Sequence, residues 1–346
     1  MSLSVWNILV FIVFYSGPDV LKFVKNGIEA SIFTITWCLS NHAYFSSIRS
    51  MNSQPTACNM NKIKIILNLH FVKRLVVLSV LIFISLASAY RKITWVAIGD
   101  SITYLNDHQD ETGNRITKGY MTLITEKYKN IEYINQGHNG WTSINIADKI
   151  ESIGLVRADI YTVFLGTNDW WQGKTLGTIS DYSNNTGSGT VYGAFRMINN
   201  NLRQLNKKAQ IILITPMQRG DFVYINNAKN NAYGSYRTKK EQELEKFANA
   251  VLEIGKLENY PVVDLYHDSG MTPENMVNFK RLKDPQTGAY QNYTYPGYTA
   301  VPYNPETDEY PYPAEAINMT YDGLHPSDKG YEIIAKMLIE KWKGLR

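Results

Sequence analysis

Acyl transfer from an ester requires an activated nucleophile, a base held in one tautomer, and donors aimed at the developing oxyanion. Four short blocks of this sequence carry residues of those types. Gly99-Asp100-Ser101-Ile102-Thr103 offers a serine on a glycine-permitted turn, although a Gly-Asp-Ser turn read alone also serves as a simple cap. Asn135-Gln136-Gly137-His138-Asn139-Gly140-Trp141-Thr142-Ser143 offers Gly140, whose backbone N–H can approach a substrate oxygen where a side chain would obstruct it. Read alone, that block is an ordinary loop with Thr142 or Ser143 capping a helix. Gly166-Thr167-Asn168-Asp169 offers the side-chain amide of Asn168, an oxyanion donor or simply a turn asparagine. Asp322-Gly323-Leu324-His325-Pro326 sets a carboxylate three residues ahead of an imidazole. The carboxylate can fix one ring nitrogen, leaving the other to accept the Ser101 proton.

Four histidines follow residue 89: His108, His138, His267 and His325. His325 is read as the one with a carboxylate partner at useful spacing and a rigid proline behind it. The adjacent pair His267-Asp268 is expected to diverge into loop polar structure. A metal reading of Asp322 and His325 lacks a third ligand at suggestive spacing, so neither a metal nor an organic cofactor is expected.

The elements that must position these blocks follow from hydrophobic period. Buried-strand runs are expected at Ile93 to Ile98, Ile131 to Asn135, Asp159 to Leu165, Gln210 to Thr215 and Pro261 to Leu265. Helices are expected at Gly119 to Tyr128, Ser143 to Ile153, Val191 to Lys207, Lys239 to Leu257 and Ser327 to Trp342. The third of these carries Ala194, Ile198, Leu202 and Leu205 on one face. Five strands alternating with helices argue for a parallel sheet covered on both faces, with ligands at the carboxyl ends of the strands. The blocks beginning at Gly99, Asn135 and Gly166 all fall on that rim.

In this order and at these places, the four blocks resemble those of the SGNH (GDSL-type) hydrolases, over roughly Ile93 to Trp342. There is no G-x-S-x-G elbow, which removes the ordinary α/β-hydrolase reading. The resemblance implies a flavodoxin-like three-layer α/β/α sandwich with a central, mainly five-stranded parallel sheet. It implies Ser101 as nucleophile, His325 as base and Asp322 as its orienting partner. The oxyanion hole would come from the Ser101 and Gly140 N–H groups and the Asn168 amide.

One stretch departs from the family pattern. Residues 281–318 hold Tyr290, Tyr293, Tyr295, Tyr298, Tyr303, Tyr310 and Tyr312 among six prolines. So many prolines exclude a regular helix, and so many tyrosines argue for an ordered, extended insertion. Trp170, Trp171, Tyr295 and Tyr298 offer flat faces for sugar rings or, equally, packing for the insertion. The resemblance implies a family whose secreted members often remove acetyl groups from polysaccharides, and the acidic and hydroxyl-rich insertion suits a polar substrate, so O-deacetylation of carbohydrate is the expected activity. A lipolytic esterase or thioesterase with the same triad, and a non-catalytic glycan binder on the same scaffold, are the rivals.

Charge and leader bound the rest. The chain carries a net charge of +4, but from Tyr90 onward it holds 28 basic and 29 acidic residues. No basic run suits phosphate neutralisation, so no nucleic-acid partner is expected. Both cysteines, Cys38 and Cys58, precede Tyr90, which leaves the main domain without disulfide or thiolate chemistry. Residues 60–89 combine Lys62, Lys64, Lys73 and Arg74 with the apolar run Leu75 to Leu86 and the small-residue end Ala87-Ser88-Ala89. That is a secretory signal peptide, expected to be cleaved after Ala89 and to leave a secreted or periplasmic domain, residues 90–346, without a stable membrane anchor. Residues 1–59 are read as a non-native upstream extension, with Met60 or Met51 as the true start. Mass spectrometry of the natural protein should find its N-terminus at Tyr90. Peptides from residues 1–50 would overturn the reading of the extension, and an intact 60–89 segment would overturn cleavage.

Overall fold

The computed structural model describes residues 72–81 and 92–342. Residues 72–81, within the expected leader, are helical; the rest of that expectation lies outside the described residues. Among the described residues no helix is long and apolar enough to cross a membrane.

In the 92–342 body the chain runs β1 (Ile93–Gly99), α1 (Ser101–Tyr104), α2 (Tyr120–Lys127), β2 (Ile131–Gly137), α3 (Ser143–Lys149), β3 (Ile160–Phe164) and α4 (Thr167–Trp171). It continues with α5 (Ile179–Ser183), α6 (Val191–Leu205), β4 (Gln210–Ile214), β5 (Phe222–Tyr224) and β6 (Asn227–Ala232). α7 (Leu244–Glu258), β7 (Val262–Val263), α8 (Leu265–Asp268), β8 (Lys280–Lys283), β9 (Tyr290–Tyr293) and α9 (Asp328–Lys341) complete it. The main sheet has the order β2-β1-β3-β4-β7, every neighbour parallel.

Side-chain alternation along the strands sorts two cores. Val96, Ile98, Val163, Ile211 and Leu213 pack under α3, α6 and α7. Trp95, Ala97, Phe164, Ile212 and Ile214 pack under α2 and α9. The α6 stripe of Ala194, Ile198 and Leu202 is fully buried, as its four-residue spacing requires. A sheet apolar on both faces, with helices on each, is the expected α/β/α sandwich.

Three boundaries differ from expectation for physical reasons. The helix expected from Lys239 begins at Leu244, because Lys239 to Gln242 close a two-residue hairpin turn with Lys240 and Glu241 at positive φ. Gln242 explains the override: its side chain bonds Leu176 N and Lys174 O, and its carbonyl accepts from Trp170 Nε1. The helix expected to reach Ile153 ends at Lys149, its last residues becoming turns. The strand expected over Pro261 to Leu265 pairs only at Val262 and Val263, and Asp264 instead caps α8 by accepting from His267 N.

The β5–β6 hairpin was not foreseen. Its second strand, Asn227-Ala-Lys-Asn-Asn-Ala232, is too polar to register as a strand. The tyrosine- and proline-rich insertion is ordered. It folds as a β8–β9 hairpin and short turns around a small core of its own, in which Leu282, Tyr298, Tyr312 and Ala316 meet Val223 of β5.

Candidate active site

Three of the sheet's carboxyl ends supply the site. β1 ends at Gly99, and Asp100 caps the turn that follows by accepting from Ile102 N at 3.0 Å. Ser101 thus becomes the first residue of α1 at the sheet's rim. Its N–H has no carbonyl one turn back to bond. The turn is held from the α2/α9 face of the sheet, where buried Tyr331 of α9 donates to Ile102 O at 2.8 Å.

β2 leads to Gly140, at φ +73°, where an added Cβ would meet nothing within 4 Å. Conformation, not crowding, therefore calls for glycine there, and the open space beside it belongs to the cleft. Asn168 begins α4 beside it and donates through Nδ2 to Trp141 O at 3.0 Å, which leaves the second amide hydrogen for another acceptor. The two loops are tied underneath by Asp169. Its carboxylate accepts from Ser143 N at 2.9 and 3.1 Å and from Ser143 Oγ at 2.7 Å, all buried.

The fourth block closes the row. Asp322 is fully buried. Its Oδ1 accepts from Leu324 N at 3.0 Å and His325 N at 2.7 Å, and its Oδ2 lies 2.6 Å from His325 Nδ1. His325 Nε2 lies 2.9 Å from Ser101 Oγ. With Nδ1 protonated against the carboxylate, Nε2 faces the serine as an acceptor. Gly323, at φ +88°, makes the loop possible: a Cβ there would sit 1.7 Å from Asp221 O. Phe222 closes over the imidazole edge at 5.3 Å.

Ser101, His325, Gly140 and Asn168 line one cleft of about 470 Å³, together with Trp171, Arg219, Phe222 and Leu324. The arrangement can transfer a proton from Ser101 Oγ to His325 and present donors to an oxyanion.

Several expectations are corrected here. Trp170 is fully buried in the core, its indole N–H spent on Gln242 O. Tyr298 is buried at 1 % exposure inside the insertion, and Tyr295 packs edge-on between Tyr298 and Tyr236. Of the four aromatics expected to contact substrate, only Trp171 lines the cleft. His325 is also not unique in having a carboxylate three residues ahead. Asp264 holds His267 Nδ1 at 2.8 Å in the same spacing, but the opposite nitrogen meets Glu245 at 3.4 Å instead of a hydroxyl. Arg219 and Phe222 were missed. The signal for Arg219 was present, since Gln210 to Thr215 ends in Pro216 and the rim rule points to the loop that follows.

The family profile described as "GDSL-like Lipase/Acylhydrolase family" matches residues 97–333. The chain belongs to this family. It is a serine esterase by membership, acting on carboxylic esters. Among solved structures it is 63 % identical to a possible lipase from Chitinophaga pinensis, over 72 % of this chain and 97 % of that one, with a TM-score of 0.71. A putative GDSL-like lipase from Parabacteroides merdae aligns at 18 % identity over 72 % of this chain and 95 % of that one, TM-score 0.44. A catalytic mutant of an acetylxylan esterase from Geobacillus stearothermophilus aligns at 16 % identity over 72 % and 94 %, TM-score 0.40. No curated protein matches it.

Two measurements follow from the geometry. Burial drives the Asp100 and Asp169 carboxyls up to about 6 in spite of the hydrogen bonds each accepts. The folded state therefore binds their protons more tightly than the unfolded chain. Their contribution to stability is fullest below about pH 4 and declines as pH rises through about 6. Asp169→Asn should flatten that decline by on the order of 2 kcal/mol in denaturant titrations; an unchanged slope would refute the assignment. Gly323→Ala should keep the far-UV circular dichroism of the wild type and lose ester turnover by about a hundredfold or more, because the clash with Asp221 O displaces both Asp322 and His325.

Proposed function

We propose that Ser101, His325 and Asp322 are the catalytic triad of this esterase, that the Ser101 and Gly140 N–H groups with the Asn168 amide form its oxyanion hole, and that the natural reaction is O-deacetylation of a carbohydrate. The observation that carries the mechanism is the continuous hydrogen-bonded row from Ser101 Oγ through His325 to buried Asp322. His325 takes the Ser101 proton as Oγ attacks the ester carbonyl. The three donors stabilise the tetrahedral oxyanion. His325 then protonates the departing alcohol, and a water deprotonated by His325 releases the acid from the acyl-enzyme.

Support for the sugar ester comes from the cleft wall. Asn139, Gln172 and Asn230 offer hydrogen-bonding groups in the cleft, which suits a hydroxyl-rich alcohol. The leader pattern over 60–89 supports action after export. The relative from Chitinophaga pinensis is described as a possible lipase, and a preference for long acyl chains would favour a lipolytic reading.

The test is hydrolysis of acetyl, butyryl and longer p-nitrophenyl esters by residues 90–346, beside Ser101→Ala. Turnover should fall by ~10³-fold or more in the variant and be greatest for acetyl in the wild type. Equal turnover in both proteins would remove Ser101 from the chemistry.

A further inference from the structure

The loop after β4 brings a cation into the cleft. Arg219 follows Ile214 by five residues, on the carboxyl side of the fourth sheet strand, and lines the same cleft as Ser101 and His325. It is 1 % exposed. A buried guanidinium ordinarily sits in a salt bridge, because removing the charge from water is expensive unless a partner compensates it. Arg219 has no such partner among the described residues. Its nearest acidic neighbour in sequence, Asp221, is already engaged by Lys280 Nζ at 3.0 Å, Gly234 N at 2.9 Å and Tyr236 OH at 2.5 Å. Asp322 is engaged by His325 and two backbone N–H groups.

What holds Arg219 is of another kind. Its guanidinium carbon lies 5.7 Å from the Trp170 ring and 5.3 Å from the Trp171 ring, and one terminal nitrogen donates to Tyr233 O at 3.2 Å. Two indole faces steady a cation and fix its plane without consuming its hydrogen-bond donors. Its Nε is buried with no partner. Five N–H donors in a rigid fork, one of them used by the protein, form a preorganised acceptor site for planar oxygen pairs. Apart from His325, Arg219 is the sole basic side chain lining the cleft among the described residues. The acidic residue there, Glu111, is occupied by the Tyr104 hydroxyl at 2.7 Å.

We propose that Arg219 is the specificity residue of this cleft and binds a carboxylate carried by the substrate, making an acidic ester, such as the acetyl ester of a uronic acid, the preferred substrate class. This rests on the esterase reading of Ser101 and narrows it. Desolvation lowers the Arg219 guanidinium from its usual value to about 10, so it stays charged at neutral pH, and an arriving carboxylate supplies the direct hydrogen-bonded partner that neither Asp221 nor Asp322 provides. The competing role is charge balance for Asp221 and Asp322, to both of which Arg219 is electrostatically coupled. That role would affect all substrates alike.

The experiment uses two matched pairs with residues 90–346. One pair differs on the alcohol side, acetylated glucuronate against acetylated glucose. The other differs on the acyl side, the mono-p-nitrophenyl ester of glutaric acid against p-nitrophenyl valerate. Wild type should prefer the carboxylate-bearing member of at least one pair by roughly ten- to a hundredfold in kcat/KM. Arg219→Met should lower kcat/KM for the carboxylate-bearing member at least roughly tenfold more than for the neutral member and so erase that preference, and Arg219→Lys should keep part of it. Should Arg219→Met not fold, inhibition of wild-type turnover of the neutral esters by free glucuronate, and not by its methyl ester, carries the same information. Equal kcat/KM within both pairs, a preference that survives Arg219→Met, or an equal loss for both members overturns the proposal. Absence of turnover of all four esters overturns the esterase assignment of the cleft instead.

Discussion

A carboxylate with no access to water governs this site. Asp322 is fully buried, and an ionised group in that position is tolerated only if its lone pairs are met by well-placed donors. Three donors meet them, two from the backbone of Leu324 and His325 and one from the imidazole itself. The backbone donors require the chain to turn back within three residues, and that turn requires a residue at φ +88° pressed against Asp221 O. Only glycine satisfies both conditions. The same turn that neutralises the cost of burying Asp322 also aims His325 Nε2 at Ser101, so satisfying the charge and orienting the base are one event.

The rest of the fold keeps that event in register with the proposed oxyanion donors. Ser101, Gly140 and Asn168 come from three adjacent strands whose register is fixed by parallel pairing. Parallel pairing alone sets the rim to within a residue or so, and shorter ties set the remainder. Asp169 locks the Asn168 turn to the start of α3, Asn168 bonds Trp141 O, and Gln172 bonds Gly140 O at 2.7 Å. The Ser101 turn is tied to the last helix by Tyr331, the helix that the His325 segment leads into. Donors preorganised in this way do not have to reorient as charge develops.

How much of this was legible in the sequence depended on the range of the interaction concerned. β1 and α6 could be read because hydrophobic period is a local property, and the four blocks because each is contiguous. Trp170 and Tyr298 could not be decided between substrate contact and packing because aromatic type says nothing about which face of a turn points inward; that is decided by Gln242 and by the insertion's own core. The 264–267 pair shows the same limit from the other side. Its spacing and hydrogen bond match those of 322–325, and burial together with the group facing the outer nitrogen, Glu245 in one case and Ser101 in the other, separates a surface pair from the Ser101–His325–Asp322 row. Arg219 carries no motif, and its significance comes from two tryptophans about fifty residues earlier in the chain.

The tyrosine-rich insertion belongs to this same chain of support. Its tyrosines do not line the cleft; two of their hydroxyls reach the backbone on either side of Phe222. Tyr312 donates to Asp221 O and Tyr310 to Val223 O at 3.0 Å, while Arg115 binds Tyr312 O at 2.7 Å. Lys280 adds a nearly buried ion pair to the Asp221 side chain. Asp221 O is the atom that Gly323 must pass, Val223 N bonds Asp322 O at 3.3 Å, and Gly220 N bonds Gly323 O at 2.8 Å. The insertion therefore clamps the segment that in turn clamps Asp322. At Tyr310 and Tyr312 a hydroxyl donor is carried through an apolar layer, for which tyrosine combines ring and donor in one rigid side chain. Losses in this region should be felt at His325 through geometry, with no contact to substrate required.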